Sequence, residues 1–184
     1  DRKLLSFRDN ALEERADLSG LAGFHCNDMV VDSKGNAYIG NFGFNTYEGE
    51  EVKSTNLILV RPGEEPCIAA DEVLFPNGTV ITQDGKTLVV GETYAAKLTA
   101  FDVNDDASLS NRRVWADLTQ SIDDGNVPVP DGMCLDAEGA IWVASPSTAD
   151  VIRVKEGGEI LERIPVETNA YACMLGGKDL KTLF

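Results

Sequence analysis

Short apolar runs alternate with polar, glycine-bearing turns along the whole chain, and three of these alternations follow one template. They are CNDMVVDSKGNAYIG at 26–40, PNGTVITQDGKTLVV at 76–90 and PDGMCLDAEGAIWVA at 130–144. Each opens on an Asn or Asp, continues through a small or acidic residue, three mostly apolar positions and a polar one, and reaches a Gly eight residues after the opening. The pairs are Asn27 and Gly35, Asn77 and Gly85, Asp131 and Gly139. A second apolar run then begins near Tyr38, Leu88 or Trp142. A fainter fourth copy, YACMLGGKDLKTLF at 171–184, has Ala172 where the others carry Asn or Asp. Self-similarity at such a period is the mark of a repeat architecture.

Each repeat reads as four short strands joined by turns. In the first, Met29–Val31 and Ala37–Ile39 flank the turn DSKG, and the runs at 56–63 and 67–73 supply the third and fourth strands. In the second, the runs near 79–82, 87–90, 97–103 and 112–118 play the same parts, and in the third those near 133–136, 140–144, 151–157 and 159–166. The segment ALEERADLSG (11–20) has the Glu and Arg content of a helix, but Asp17, Ser19 and Gly20 interrupt it, and beside a repeat it reads as the outer strand of an earlier blade. Four strands per repeat predict an all-β fold, a β-propeller. A sandwich of unrelated strands would leave the recurring Asn/Asp-to-Gly spacing unexplained. The expectation is a single propeller domain over 1–184, about four blades and incomplete at both ends, since the chain opens on Asp1 without Met and stops as a second apolar run begins.

Composition narrows the function. Hydrophobic residues make up 43% of the 184, enough for a packed core, while a net charge of −15 disfavours nucleic acid and anionic membranes as partners. No apolar run has membrane-spanning length. One histidine is too few for a multi-His zinc cage, and the four cysteines lack CxxC spacing. Cys26, Cys67, Cys134 and Cys173 read as small buried hydrophobes, and a cytoplasmic location is expected.

The chemistry sits at the opening position of the repeat. Innermost strands of a propeller line its central channel, so equivalent residues of successive blades converge at one mouth. Asn27, Asn77 and Asp131 are predicted to do so, offering two amide oxygens and a carboxylate without imidazole or thiolate. Such a hard oxygen set suits Ca²⁺ first, then Mg²⁺ or Mn²⁺, with Zn²⁺ a poorer match. Taken singly, Asn or Asp before Gly more often makes a turn; the three together, with Ala172 as the exception, favour a metal site. Asp28, Asp32 and Asp136 read as turn and hairpin polar residues, Asn41–Asn45 as a loop at the channel mouth, and Glu92 has no assigned role. Asn77-Gly78-Thr79 matches a glycosylation sequon, taken here as a chance match.

The strings NDMVVDSKGNAYIGNFGF (27–44), FPNGTVITQDGKTLVVGET (75–93), PDGMCLDAEGAIWVA (130–144) and ACMLGGKDLKTLF (172–184) together resemble the SMP-30/gluconolactonase/luciferin-regenerating-enzyme family. The resemblance implies a six-bladed propeller that binds one divalent cation and hydrolyses a small lactone, a sugar lactone such as gluconolactone first among them. It implies Asn27, Asn77 and Asp131 as ligands, joined by a Glu from the opening of the first blade that has no counterpart in 1–25. It also implies Asp131 as the catalytic residue steering or deprotonating water, and a substrate contact from Asn27 and from position 25. There the family often has Arg and this chain has His25, which changes a forked cation into a smaller titratable ring. A non-catalytic, calcium-binding propeller acting as a regulatory scaffold is the alternative function.

Overall fold

A computed structural model describes residues 2–122 and 125–184 of the chain. The first hairpin pairs β1 (Lys3–Arg8) with β2 (Ala11–Asp17), so the Glu- and Arg-rich segment is a strand and not a helix. Three four-stranded antiparallel sheets follow. The first is β3 (Cys26–Val31), β4 (Ala37–Asn41), β5 (Thr55–Val60) and β6 (Cys67–Val73), in that order. The second is β7 (Pro76–Ile81), β8 (Thr87–Glu92), β9 (Lys97–Val103) and β10 (Leu109–Asp117). The third is β11 (Met133–Leu135), β12 (Ile141–Ser145), β13 (Asp150–Val154) and β14 (Ile160–Pro165). A hairpin of β15 (Leu175–Gly176) and β16 (Thr182–Leu183) begins the next unit. Consecutive strands pair within each sheet without crossovers, which is the blade layout the repeat predicts.

The eight-residue spacing has a local cause. Between the first two strands of each blade an acidic side chain folds back on the turn: Asp32 Oδ1 accepts the Lys34 and Asn36 amides at 2.8 and 2.9 Å, and Asp136 Oδ1 accepts those of Glu138 and Ala140 at 2.8 and 2.9 Å. The turn then needs one left-handed residue, supplied by Gly35, Gly85 and Gly139 with φ of 88°, 72° and 83°. Reading Asp32 and Asp136 as turn residues agrees with this geometry.

Apolar side chains form layers between blades. Leu57, Leu59 and Val73 of one sheet meet Leu88, Val90 and Phe101 of the next, and Val89, Leu98 and Trp115 meet Ile141, Val143 and Ile152 of the third. Strands buried on both faces explain why β4, β8 and β12 read as nearly continuous apolar runs. Innermost strands touch around the centre, β3 against β7 and β7 against β11, and with residues 172–175 they line a cavity of about 840 Å³.

One polar cluster ties two blades together. Glu92, at the end of β8 and 1% exposed, accepts the Thr99 hydroxyl at 2.5 Å, the Leu74 amide at 2.8 Å and Arg112 Nη2 at 3.2 Å, with Lys97 Nζ at 3.4 Å. Arg112 also donates to the carbonyls of Asp71 and Glu72 in β6. A carboxylate with no sequence role thus holds the segment entering β7 against its own blade. The cysteines are free thiols, with Cys134 and Cys173 buried, and no helix among the described residues is long and apolar enough to cross a membrane.

Candidate metal centre

Asn27 is the second residue of β3, Asn77 the second of β7, and Asp131 lies two residues before β11, so all three stand at one end of adjacent inner strands. The ladders are irregular at these points. Pairing of β3 with β4 shifts register between Cys26 and Met29, and pairing of β7 with β8 shifts between Pro76 and Thr79. Irregularities of this kind re-aim side chains and are common beside functional sites.

Glycine sets the approach of the blades. Gly78 N–H donates to the Asp131 carbonyl at 3.1 Å, and a Cβ at Gly78 would collide with that oxygen and stand 2.7 Å from Met133 N. Gly132 repeats the device toward the fourth unit, donating to the Tyr171 carbonyl at 2.9 Å, with a Cβ there 2.8 Å from Ala172 Cα. The Asn77-Gly78 pair therefore lies within β7 and the Asp131-Gly132 pair just before β11, both at blade contacts. Gly78→Ala is expected to cost on the order of 2 kcal/mol of stability and to weaken cation binding, checked by denaturant unfolding and calorimetry.

Around Asn27, Asn77 and Asp131 the hydrogen bonding is incomplete in a specific way. Asn77 is buried; its Nδ2 donates to Thr93 Oγ1 at 3.2 Å, and Thr93 Oγ1 donates to the Pro130 carbonyl at 2.7 Å. Its Oδ1 is a buried acceptor with no partner among the described residues. Orphaned buried polar atoms are rare and point to an absent ion or water. Asn27 Nδ2 donates to the Pro76 carbonyl at 3.1 Å, which places Asn27 beside the backbone leading into Asn77.

The carboxylates carry the same message. Burial first, and then the charge of Asp28, push Asp131 up from 3.8 to about 6, against hydrogen bonds from the Gly132 backbone and the Asn77 side chain that pull it down. Asp28 is itself raised by burial. Asp28 lies in β3, in the β3–β4 hairpin and not at its turn, and its charge acts on Asp131. The desolvated Asp131 carboxylate and the unpartnered amide oxygen of Asn77 fit an oxygen-ligated divalent ion. Among the described residues no three His, Cys, Asp or Glu side chains cluster as ligands, so the donor set rests on the asparagines. His25 is exposed, with its ring centroid 4.1 Å from that of Phe24.

A family model described as SMP-30/Gluconolactonase/LRE-like region matches residues 2–184. The chain belongs to the SMP-30/gluconolactonase/LRE-like family. Among curated members of the family, regucalcin of Xenopus laevis is 31% identical over 163 residues, covering 86% of this chain and 52% of the relative. Regucalcin of Danio rerio is 30% identical over 162 residues with the same coverage. The chain thus spans about half the length of these family members. In fold it is similar to a luciferin-regenerating enzyme, with TM-score 0.85 at 17% identity over 99% of this chain and 62% of that one. It is likewise similar to a gluconolactonase of Xanthomonas campestris, with TM-score 0.78 at 24% identity over 100% and 61%. The family fold is a β-propeller, as the blades described above require.

Asp131 also fixes a pH signature. With its folded value near 6 and an ordinary value of 3.8, its contribution to the stability of the cation-free fold is present below 3.8 and lost as pH rises through 6. Cation binding needs the carboxylate ionised and so opposes that trend. Calcium binding at pH 6 is expected to release about half a proton from Asp131, and essentially none at pH 8, as read by calorimetry in buffers of different ionisation heat.

Proposed function

We propose that this chain carries most of the active site of a divalent-cation-dependent hydrolase that opens a small lactone. The observation that carries this reading is the unpartnered, buried Oδ1 of Asn77 beside the desolvated Asp131 carboxylate. Membership of a family whose model names gluconolactonase supports it. Asn27, Asn77 and Asp131 are the residues that would hold the ion, Ca²⁺ first, with Mg²⁺, Mn²⁺ or Zn²⁺ as alternatives. When bound, the cation supplies Lewis-acid polarisation of the lactone carbonyl and offsets the charge of the tetrahedral oxyanion.

The chain's own residues do the rest. Asp131 orients the attacking water and accepts its proton; a carboxylate beside a cation is a weak base, so orientation is the larger part of its role. Asp28 adds a second negative charge that favours cation capture and disfavours anionic substrates. Thr93 links Asn77 to Pro130 and so holds the second and third blades in register at the site. Asn27 and His25 are the residues that would contact the substrate.

The test is turnover of a lactone panel, gluconolactone first, by the full-length protein with and without chelator. Hydrolysis that disappears on chelation and returns with Ca²⁺ is expected. Tight calcium binding with no turnover of any lactone would instead favour the scaffold reading, for which the likeness in fold to a calcium-binding protein, regucalcin, of Agrobacterium tumefaciens is the ground.

A further inference from the structure

Aromatic rings that are scattered along the sequence meet on one rim of the first two full blades. His25 and Phe24 precede β3, Phe42, Phe44 and Tyr47 follow β4, Phe75 precedes β7, and Tyr94 follows β8. Centroids connect them in one continuous set: Phe24 to Tyr47 at 6.2 Å, His25 to Tyr47 at 6.1 Å, Phe24 to Phe42 at 6.4 Å, Phe42 stacked on Phe75 at 4.6 Å, and Phe75 edge-on to Tyr94 at 5.0 Å. Buried Phe44 backs the set, 5.9 Å from Phe75 and 5.7 Å from Tyr94. Tyr47 at 77% and Tyr94 at 52% exposure leave its outer edge open.

This wall adjoins the candidate metal centre through the backbone. Phe75 lies two residues before Asn77, His25 two before Asn27, and Tyr94 directly follows the Thr93 that binds the Asn77 amide. Phe75 is held at φ 55°, left-handed for a bulky residue, with its carbonyl accepting the Thr93 amide at 3.2 Å. Backbone strain of that kind persists where the surroundings over-determine it and clusters at ligand sites. The loop's asparagines are already used. Asn41 Oδ1 accepts from Gly23, Gly43 and Thr55 while its Nδ2 donates to Asn56, and Asn45 Oδ1 accepts the Tyr47 and Glu48 amides. A polyhydroxylated ring needs a polar partner for each hydroxyl it buries, and this wall offers mainly ring faces beside the Tyr47 and Tyr94 hydroxyls and the His25 ring nitrogens.

We propose that this aromatic rim is the specificity wall of the site and selects a neutral lactone bearing an aryl or extended apolar substituent over a sugar lactone. The proposal rests on the lactonase reading and names its substrate class. Neutrality follows from the wall itself, which sets ring faces and no Lys or Arg against the substituent. Aromatic faces stack on a flat apolar group at little entropic cost.

The test compares dihydrocoumarin with glucono-1,5-lactone as substrates of the full-length calcium-loaded protein and of its Tyr94→Ala and Tyr47→Ala variants. Binding of the lactam 3,4-dihydroquinolin-2-one to the calcium-free protein is measured alongside by calorimetry. Wild type is expected to favour dihydrocoumarin in kcat/KM, with that preference falling about tenfold in Tyr94→Ala. Lactam binding is expected to weaken in parallel. A wild-type preference for the sugar lactone, or a ratio unmoved in both variants, overturns the proposal. If neither lactone is hydrolysed, the hydrolase reading fails separately; lactam binding that Tyr94→Ala weakens then still supports the wall, and no lactam binding overturns it.

Discussion

Asp131→Asn is expected to lower lactone turnover by about 10²- to 10³-fold while leaving the folded structure intact. The carboxamide keeps the size of the side chain and an oxygen donor, so loss of charge is the only large change. The sign of the stability effect separates this from simple damage. In the cation-free fold the Asp131 carboxylate is desolvated and repelled by Asp28, so a neutral residue there removes an unfavourable charge. Thermal unfolding in chelator at pH 7.5 should therefore be unchanged or raised, whereas the stabilisation gained on adding Ca²⁺ should shrink. Unchanged turnover would remove Asp131 from the mechanism, and a large drop in chelator-phase stability would make it a structural residue.

Glu92→Ala is expected to destabilise the fold by about 3 kcal/mol, the cost of stranding buried partners of a removed charge. Thr99 and the Leu74 amide lose their acceptor, Arg112 keeps only the carbonyls of Asp71 and Glu72, and the Leu74 amide belongs to the segment that enters β7 at Pro76. The effect should reach function through position, because Phe75 and Asn77 follow that segment directly. Denaturant unfolding gives the stability term. Gln at position 92 keeps an acceptor and should recover part of the loss, whereas equal losses for Ala and Gln would place the whole effect in the charge. A change below about 0.5 kcal/mol for Glu92→Ala would show the cluster to be incidental.

The blades were legible in the sequence because their local causes are repeated in it. Asp32 with Gly35, and Asp136 with Gly139, build the same turn, and the apolar runs on either side are long enough to be buried on both faces. The convergence of Asn77 and Asp131 was legible for the same reason, since rotation about a channel brings equivalent positions together. Asp28 was not. Alternation along a regular strand puts it on the face opposite Asn27, and only the register shift between Cys26 and Met29 frees it from that rule. Glu92 was hidden because its partners lie as far as Leu74 and Arg112, a separation that no spacing motif encodes. The aromatic rim was hidden because its rings come from four loops, each with only one to three of them, that the fold gathers at one end of two blades.

The central claim is that the amide oxygen of Asn77 and the carboxylate of Asp131 share a cation. Crystals of the full-length protein grown with Ca²⁺ test it most directly. The expected result is one ion at about 2.3–2.6 Å from Asn77 Oδ1 and from an Asp131 oxygen, with Asn27 on the same ion. A calcium ion bound elsewhere, with Asn77 Oδ1 hydrogen-bonded to an ordinary water, would contradict the account.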